Sequence, residues 1–202
     1  MDVNLRKTLA HVAEFYDQRK VGERGALGFR RSSDLKTLAD CAGILLRHGI
    51  IIPGKTLFLD LGCADGRVNV ILSYLVRLSA GIELDDWTLD EYGQLRALLE
   101  DELDGLGLPV PPENIRLFNG DSSGEEIYEA IKNETGAGFE DFDLFYTYLV
   151  MHEEFAELIR AKGKAGAIFM VYGVDRIIPR YGGLRLLALS PLAGSIAVYR
   201  KE

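Results

Sequence analysis

The sequence predicts an α/β protein built on a largely parallel β-sheet, and three observations support this prediction. From residue 50 onward, short apolar runs alternate with stretches of helical periodicity, the pattern typical of successive βα units. The last two strand-like runs, "GGLRLLALS" and "SIAVYRKE", are separated by the turn "PLAG", which predicts a final antiparallel hairpin. Two amphipathic helices are predicted before the first strand of the sheet.

The two predicted N-terminal helices differ in their signals. The first, over residues 2–20, places apolar side chains on one face, namely Leu5, Leu9, Val12, Phe15 and Tyr16. The second, over residues 32–49, opens with Ser and Asp caps and closes on Gly49. Three glycines and three arginines interrupt the pattern at residues 21–31, where we expect a loop.

The remaining elements follow in βα order. Strands are predicted near residues 56–60, 78–83, 114–118, 142–148 and 166–172. Helices are predicted near residues 66–77, 88–104, 123–133 and 151–162. The chain is accordingly divided into an N-terminal helical extension, residues 1–53, and a main domain, residues 54–202.

Composition excludes several functional classes. Of the 202 residues, 48% are hydrophobic, but no apolar run approaches the roughly 20 residues that a membrane span needs, so we expect a soluble, cytoplasmic protein without membrane association. Two cysteines without a CxxC pair indicate neither a disulfide framework nor a zinc site, and no metal is expected. The net charge of −8 argues against general affinity for nucleic acid.

The most informative stretch is "LFLDLGCADGR", residues 57–67, where an apolar strand breaks into a glycine turn that leads into a helix. A dinucleotide site needs G-x-G-x-x-G, and the order Asp60, Gly62, Ala64, Gly66 matches it poorly. Asp60 and Asp65 would also repel a pyrophosphate, by roughly 1 kcal/mol or more for each close pair. The two carboxylates therefore indicate a ligand with a cationic portion.

This motif resembles the first motif of the class I, Rossmann-like methyltransferases, whose ligand, S-adenosyl-L-methionine, carries an ammonium and a sulfonium. The resemblance covers residues 54–202 and implies a three-layer fold around a seven-stranded sheet, with five parallel strands and a C-terminal antiparallel hairpin. It implies an S-adenosylmethionine-dependent transferase. In the turn it implies cofactor contacts from five residues: Asp60, Gly62, Cys63, Ala64 and Gly66.

Two further acids follow the next two strands. Glu83 ends "SAGIE", where a carboxylate can accept hydrogen bonds from both ribose hydroxyls, and Leu84 follows it. Asp121 ends "RLFNGD", beside Ser122, at the position of the acid that the resemblance assigns to the adenine amino group. Dehydrogenases also carry an acid after the second strand, so Glu83 alone does not separate the two classes.

The methyl acceptor is less well indicated. The fourth strand, "DLFYTYLV", lacks the Asn/Asp-Pro-Pro-Tyr/Phe motif of enzymes that methylate adenine or glutamine amide nitrogen, and it resembles the small non-SET protein-lysine methyltransferases. Tyr148 and Tyr146 share one strand face and are predicted to orient the acceptor, with Tyr172 nearby. A protein or a small molecule could be the acceptor, and nucleic acid is not expected.

Two alternative functions can be distinguished from that of a methyltransferase. An NAD-dependent oxidoreductase conflicts with the spacing of the glycine turn. A non-catalytic S-adenosylmethionine-binding module stays open, since it would bind the cofactor without turnover. In-line displacement at a sulfonium methyl group needs no dedicated base, although His152 and Glu153 follow the fourth strand where a base could lie.

Overall fold

A computed structural model of the chain describes residues 1–25, 28–30, 32–175 and 177–202. Two helices, α1 (Val3–Asp17) and α2 (Leu35–Arg47), open the chain. Each begins at an aspartate whose carboxylate accepts a hydrogen bond from the first turn, as in the 2.6 Å contact between the Thr37 N–H and Asp34 Oδ1.

Between these helices lies a small two-stranded antiparallel sheet, β1 (Val21–Gly25) and β2 (Gly28–Arg30). The loop predicted over residues 21–31 is therefore wrong for these strands, and residues 26, 27 and 31 of that loop lie outside the described residues. The sequence did not predict these strands because its glycines and arginines give no alternation of apolar and polar side chains.

Seven strands form the central sheet: β3 (Leu57–Asp60), β4 (Leu78–Glu83), β5 (Ile115–Asn119), β6 (Leu144–Tyr148), β7 (Ile168–Tyr172), β8 (Leu184–Leu186) and β9 (Ile196–Lys201). Their order is β5-β4-β3-β6-β7-β9-β8. The first five are parallel, and β9 lies antiparallel between β7 and β8. This confirms the predicted seven-stranded, Rossmann-like architecture with its C-terminal hairpin, although β8 ends at Leu186 and the connection is longer than the predicted tight turn.

Helices cover both faces of the sheet, which gives three layers. They are α3 (Arg67–Ser73), α4 (Asp86–Gly105), α5 (Glu126–Thr135) and α6 (His152–Lys162). Adjacent residues of β3 point to opposite faces: Phe58 joins the core under α1 to α4, and Leu59 joins the core under α5 and α6. Burial on both faces explains why the parallel strands read as continuous apolar runs.

The N-terminal helices share a core with the sheet. Leu9 and Val12 of α1 and Leu38 of α2 are buried in the same cluster as Val70 of α3 and Met170 of β7. The proposed boundary at residue 53 therefore separates segments of sequence that pack together. Within the described part of the chain, none of the helices has the length and apolarity that crossing a membrane requires.

Candidate functional site

A cavity of about 600 Å³ opens at the carboxyl ends of β3, β4 and β6, beside the loop that follows β5. Ten of the eleven residues predicted for the cofactor and acceptor sites line it: Asp60, Gly62, Cys63, Ala64, Glu83, Leu84, Asp121, Ser122, Tyr146 and Tyr148. Parallel strands end at one edge of a sheet, so residues far apart in sequence converge there.

The three acids lie in the order of the strands that carry them. Asp60 ends β3, Glu83 ends β4, and Asp121 lies two residues beyond the end of β5. Neighbouring strands are about 4.8 Å apart, so the three positions extend over roughly 10 Å of the sheet edge. β6 pairs with the other side of β3, which places Tyr146 and Tyr148 beyond the Asp60 end of this row.

Asp60 is the most unusual of these acids, since only 1% of its surface is exposed. The backbone N–H of Gly62 donates to its carboxylate, but Asp60 Oδ1 has no hydrogen-bond partner among the described residues. Burial, followed by the neighbouring charge of Glu83, raises the pKa of Asp60 well above its ordinary value. A buried acceptor of this kind favours a ligand that brings a donor, and a cation most of all.

Glu83 holds the glycine turn against β4. Its Oε2 accepts a hydrogen bond from the Ala64 N–H at 2.9 Å, and its Oε1 accepts one from the Asp85 N–H at 3.0 Å. Ala64 has φ of 51°, a left-handed conformation that glycine adopts more easily. The bond from Glu83 helps to stabilise this conformation where the related motif would place its middle glycine.

Gly66 is the one predicted site residue that does not line the cavity. It has φ of 75°, and a Cβ atom built on it would lie 2.7 Å from Leu117 Cδ1 and 2.9 Å from Tyr92 Cδ2. Both distances are too short for real carbon contacts. The structure thus requires glycine here so that the start of α3 can pack against β5 and α4, and the contact of Gly66 with the ligand stays a prediction.

Asp65 also departs from the sequence interpretation. Its carboxylate lies outside the cavity lining and forms a buried ion pair with Arg67, whose Nη2 and Nε lie 2.7 Å and 2.9 Å from Oδ2 and Oδ1. Asp65 therefore does not indicate a cationic ligand, and this argument rests on Asp60. Arg67, which the sequence indicates as part of the helix start and its packing, lines the cavity.

The side of the cavity formed by β6 is aromatic and tied to the N-terminal segment. Tyr146 is buried, and its hydroxyl hydrogen-bonds to Ser33 Oγ. Tyr148 is half-buried, and its ring lies 5.4 Å from that of Tyr172. Tyr172 itself does not line the cavity, and its hydroxyl accepts a hydrogen bond from the Asp34 N–H at 3.1 Å.

An apolar lip follows β6 at the cavity mouth. Leu149, Val150 and Met151 line the cavity and remain 39%, 62% and 43% exposed. Thr147 Oγ1 donates to the Val150 carbonyl at 3.1 Å and so fixes this loop. The sequence carried a signal for the lip, because three apolar residues in a row after the end of a strand are not needed by the core.

Other lining residues were also missed by the sequence analysis: Val21, Ser32, Ser33, Leu61, Val68, Phe155 and Gly173. Val21 and the two serines belong to the N-terminal segment, whose position over the sheet edge no local pattern could reveal. Across the described ranges no group of His, Cys, Asp or Glu has the arrangement of a metal site. Cys63 is buried, and burial together with the Asp60 charge raises the pKa of its thiol, which disfavours the reactive thiolate.

Several solved structures have a fold similar to that of this chain. No family model matches the chain, and no curated protein matches its sequence. Solved structures with similar folds include YhhF from Escherichia coli, with 16% identity, TM-score 0.54, and coverage of 91% of this chain and 97% of YhhF. The rRNA methyltransferase AviRa from Streptomyces viridochromogenes has 16% identity, TM-score 0.53, and coverage of 80% and 83%.

A variant of MtNAS in complex with S-adenosylmethionine is a third similar structure, with 12% identity, TM-score 0.53, and coverage of 98% of this chain and 72% of MtNAS. At these identities the likeness establishes the fold. The chain has the class I methyltransferase fold, as its strand order independently indicates.

The buried charge of Asp60 makes a prediction about stability without ligand. Because its pKa is higher in the folded than in the unfolded protein, the folded state binds more protons between those two values, and the free energy of unfolding falls as pH rises through that window. The Asp60→Asn substitution removes the ionisable group, and with it this fall in the free energy of unfolding. We expect the variant to be more stable than the wild type at neutral pH, by roughly 1 kcal/mol or more, with the difference shrinking as the pH falls towards about 4, where the aspartate is protonated in both states.

Urea unfolding from about pH 4 to about pH 8 measures this difference. Asp121→Asn is the control, because Asp121 is exposed and hydrogen bonds from the Ser123 N–H and Oγ lower its pKa. That substitution should not stabilise the protein at any pH. Equal stability of the wild type and Asp60→Asn at neutral pH would contradict the assignment of a destabilising buried charge.

Proposed function

We propose that this protein is an S-adenosylmethionine-dependent methyltransferase. The observation that carries the proposal is the oxygen of Asp60 that is buried at the cavity without a partner among the described residues, in a row with Glu83 and Asp121. Each of these carboxylates follows a different strand, and together they offer acceptors to an elongated ligand that is cationic at one end. The class I fold supports this reading, since a similar structure, that of the MtNAS variant, contains S-adenosylmethionine.

The residues fit the ligand group by group. Asp60 would accept from its ammonium, Glu83 from its ribose hydroxyls, and Asp121 from its adenine amino group. Leu84 lines the cavity and is 68% exposed, which suits an apolar side chain that a bound purine covers. S-Adenosylmethionine supplies an electrophilic methyl group on a sulfonium, and the chain's task is to hold and orient both reactants.

For the acceptor we propose an amine of a protein, a lysine side chain. The helices that follow β4, β5 and β6 all begin with acidic residues, among them Asp86, Glu126, Glu153 and Glu154. These helices start beyond the carboxyl ends of the strands, on the side of the sheet where the cavity opens. A basic polypeptide segment would be attracted to these acidic helix starts, whereas a phosphate backbone would be repelled.

The inner wall suits the deprotonation that a lysine needs before attack. Tyr148, Leu149 and Val150 present an aromatic and apolar surface, and burial against such a surface lowers the pKa of an amine. Neither histidine nor lysine occurs among the described residues that line the cavity. The proton would therefore leave to water before transfer, and rate enhancement would come from positioning and desolvation.

RNA is the second candidate acceptor, and one specific observation favours it. Residues 19–31 contain five Lys and Arg and one Glu, and Val21, the first residue of β1, lines the cavity. The similar structure of AviRa is that of an rRNA methyltransferase. We place the protein acceptor first because the three helix starts on the side of the sheet where the cavity opens are acidic, and small-molecule acceptors are an outcome of the same experiment.

The test is transfer of a labelled methyl group from S-adenosylmethionine into a cell lysate that is separated afterwards into protein, RNA and small molecules. Label that enters protein and is recovered as methyl-lysine after hydrolysis is the expected result. Label in RNA or in small molecules would overturn the lysine proposal and keep the methyltransferase. Binding of S-adenosylmethionine with no transfer to any fraction would leave a binding module.

Glu83 is predicted to contribute directly to cofactor affinity. Glu83→Ala should weaken S-adenosylmethionine binding by about 1–3 kcal/mol, since two hydroxyls lose a charged acceptor. It should also lower stability, because the Ala64 N–H loses its partner. Calorimetric titration measures the affinity, with NAD as a negative control ligand.

Glu83→Gln is the matched variant, because the amide oxygen can still accept from the Ala64 N–H while the charge is lost. Its affinity and its stability should both lie between those of the wild type and Glu83→Ala, because the amide NH2 group cannot accept from the Asp85 N–H as Oε1 of Glu83 does. If both variants bind as the wild type does, Glu83 only holds the turn, and the ribose assignment fails.

Tyr148 is predicted to orient the acceptor. Tyr148→Phe should lower turnover several-fold while cofactor affinity stays nearly unchanged, because Tyr148 lies half-buried at the end of β6 and the three acids follow other strands. Steady-state methyl transfer and cofactor titration measure the two effects. Thr147→Val is the comparison variant, and it should act through the loop, since Thr147 donates to the Val150 carbonyl. Unchanged turnover in Tyr148→Phe would show that this tyrosine only packs.

A further inference from the structure

A second cavity, of about 370 Å³, opens at the amino ends of the parallel strands. Leu57, the first residue of β3, lines this cavity, whereas Asp60, the last residue of the same strand, lines the cavity described above. Three residue steps along a strand, about 10 Å, separate these two positions. The second cavity is therefore a separate site, and its chemistry does not depend on the proposed function.

Three basic residues come together at this cavity from three different connections. Lys55 precedes β3, Arg77 precedes β4 and Lys164 precedes β7. Parallel strands begin at one edge of a sheet, so the strand order β4-β3-β6-β7 brings these residues to the same edge. The whole chain has a net charge of −8, which makes this concentration of positive charge a local feature.

Two carboxylates also line the cavity, and both accept hydrogen bonds from the protein. Asp143 Oδ1 pairs with Lys164 Nζ at 2.5 Å, and Asp143 Oδ2 accepts from the Leu57 N–H at 2.7 Å. Asp141 Oδ2 accepts from the Gly138 N–H at 2.9 Å, and the Asp141 carbonyl accepts from Lys164 Nζ at 2.7 Å. The ion pair of Lys164 with Asp143 leaves two basic residues against one carboxylate.

Lys55 and Arg77 are those two basic residues. Both are exposed, and neither side chain makes a hydrogen bond or an ion pair with a residue that the structure describes. Their backbones are fixed, since the Lys55 N–H donates to the Ile52 carbonyl at 3.0 Å and the Arg77 N–H donates to the Thr56 carbonyl at 2.9 Å. Each charged group therefore extends on a flexible stem from a fixed position at the cavity, within reach of a ligand there.

We infer that this cavity binds a small phosphorylated molecule and that Lys55 and Arg77 bind its phosphate group. A phosphate group carries a charge of about −2 at neutral pH, which two unpaired basic residues match. The guanidinium also offers it a planar pair of donors. The carboxylate of Asp141 and the net negative charge of the chain repel an extended polyanion, which favours a compact ligand over RNA.

Calorimetric titration with inorganic pyrophosphate, in a phosphate-free buffer of low ionic strength, tests this inference. We expect a dissociation constant in the millimolar range or below, and weaker binding at higher salt because the charges are then screened. Lys55→Gln and Arg77→Gln should each weaken pyrophosphate binding by about fivefold or more. Lys7→Gln is the control, because it removes an exposed lysine of α1 that lines neither cavity, and it should bind as the wild type does.

Asp141→Asn is the matched variant in the opposite direction. Its amide oxygen can still accept from the Gly138 N–H, while the negative charge at the cavity is lost. Pyrophosphate should therefore bind about two- to fivefold more tightly than to the wild type. A gain in affinity does not follow from a loss of stability, so this variant separates the effect of charge from an effect on folding.

The results that would overturn the inference differ from those that concern the proposed function. Pyrophosphate that shows no binding to the wild type at about 10 mM would overturn it. Unchanged affinity in both Lys55→Gln and Arg77→Gln would overturn it as well, because the ligand would then bind elsewhere. A single-stranded RNA oligonucleotide that binds more tightly than pyrophosphate, and more weakly to the same two variants, would overturn the assignment to a small molecule. None of these results bears on the binding of S-adenosylmethionine at the other cavity.

Discussion

The carboxylate of Asp60 lies at the end of β3 with 1% of its surface exposed, and one of its oxygens meets no hydrogen-bond donor among the described residues. Burial of an acceptor in this way costs free energy that the surrounding fold must supply. The neighbouring contacts make the position rigid: Gly62 donates to Asp60, and Glu83 fixes Ala64 in a left-handed conformation. The glycine turn is thus held in a shape that leaves this acceptor at the cavity for a ligand.

The fold distributes chemistry along one edge of the sheet. The strand order β5-β4-β3-β6 places Asp121, Glu83, Asp60 and the tyrosines of β6 in a row, although they come from distant parts of the sequence. The acids occupy one half of the row, and the aromatic and apolar surface occupies the other. A ligand that is polar along its length and reactive near one end would therefore meet its acceptor at β6.

Much of this arrangement could be predicted from the sequence, because it depends on local patterns. Apolar runs and the spacing of acids after strands located β3, β4 and β5 to within a residue or two at each end. The failures have a common cause, since each depends on a partner that is remote or not implied by spacing. Asp65 pairs with Arg67, and β1 pairs with β2 without an apolar alternation.

Our central proposal is that this edge of the sheet binds S-adenosylmethionine and that Asp60 binds the ammonium group of the ligand. The most direct measurement is a crystal structure of the protein with S-adenosylhomocysteine, the product of methyl transfer. We expect the ligand nitrogen within hydrogen-bond distance of Asp60 Oδ1 and the ribose hydroxyls on Glu83. A ligand bound elsewhere, or bound here with Asp60 Oδ1 still without a donor, would contradict the account.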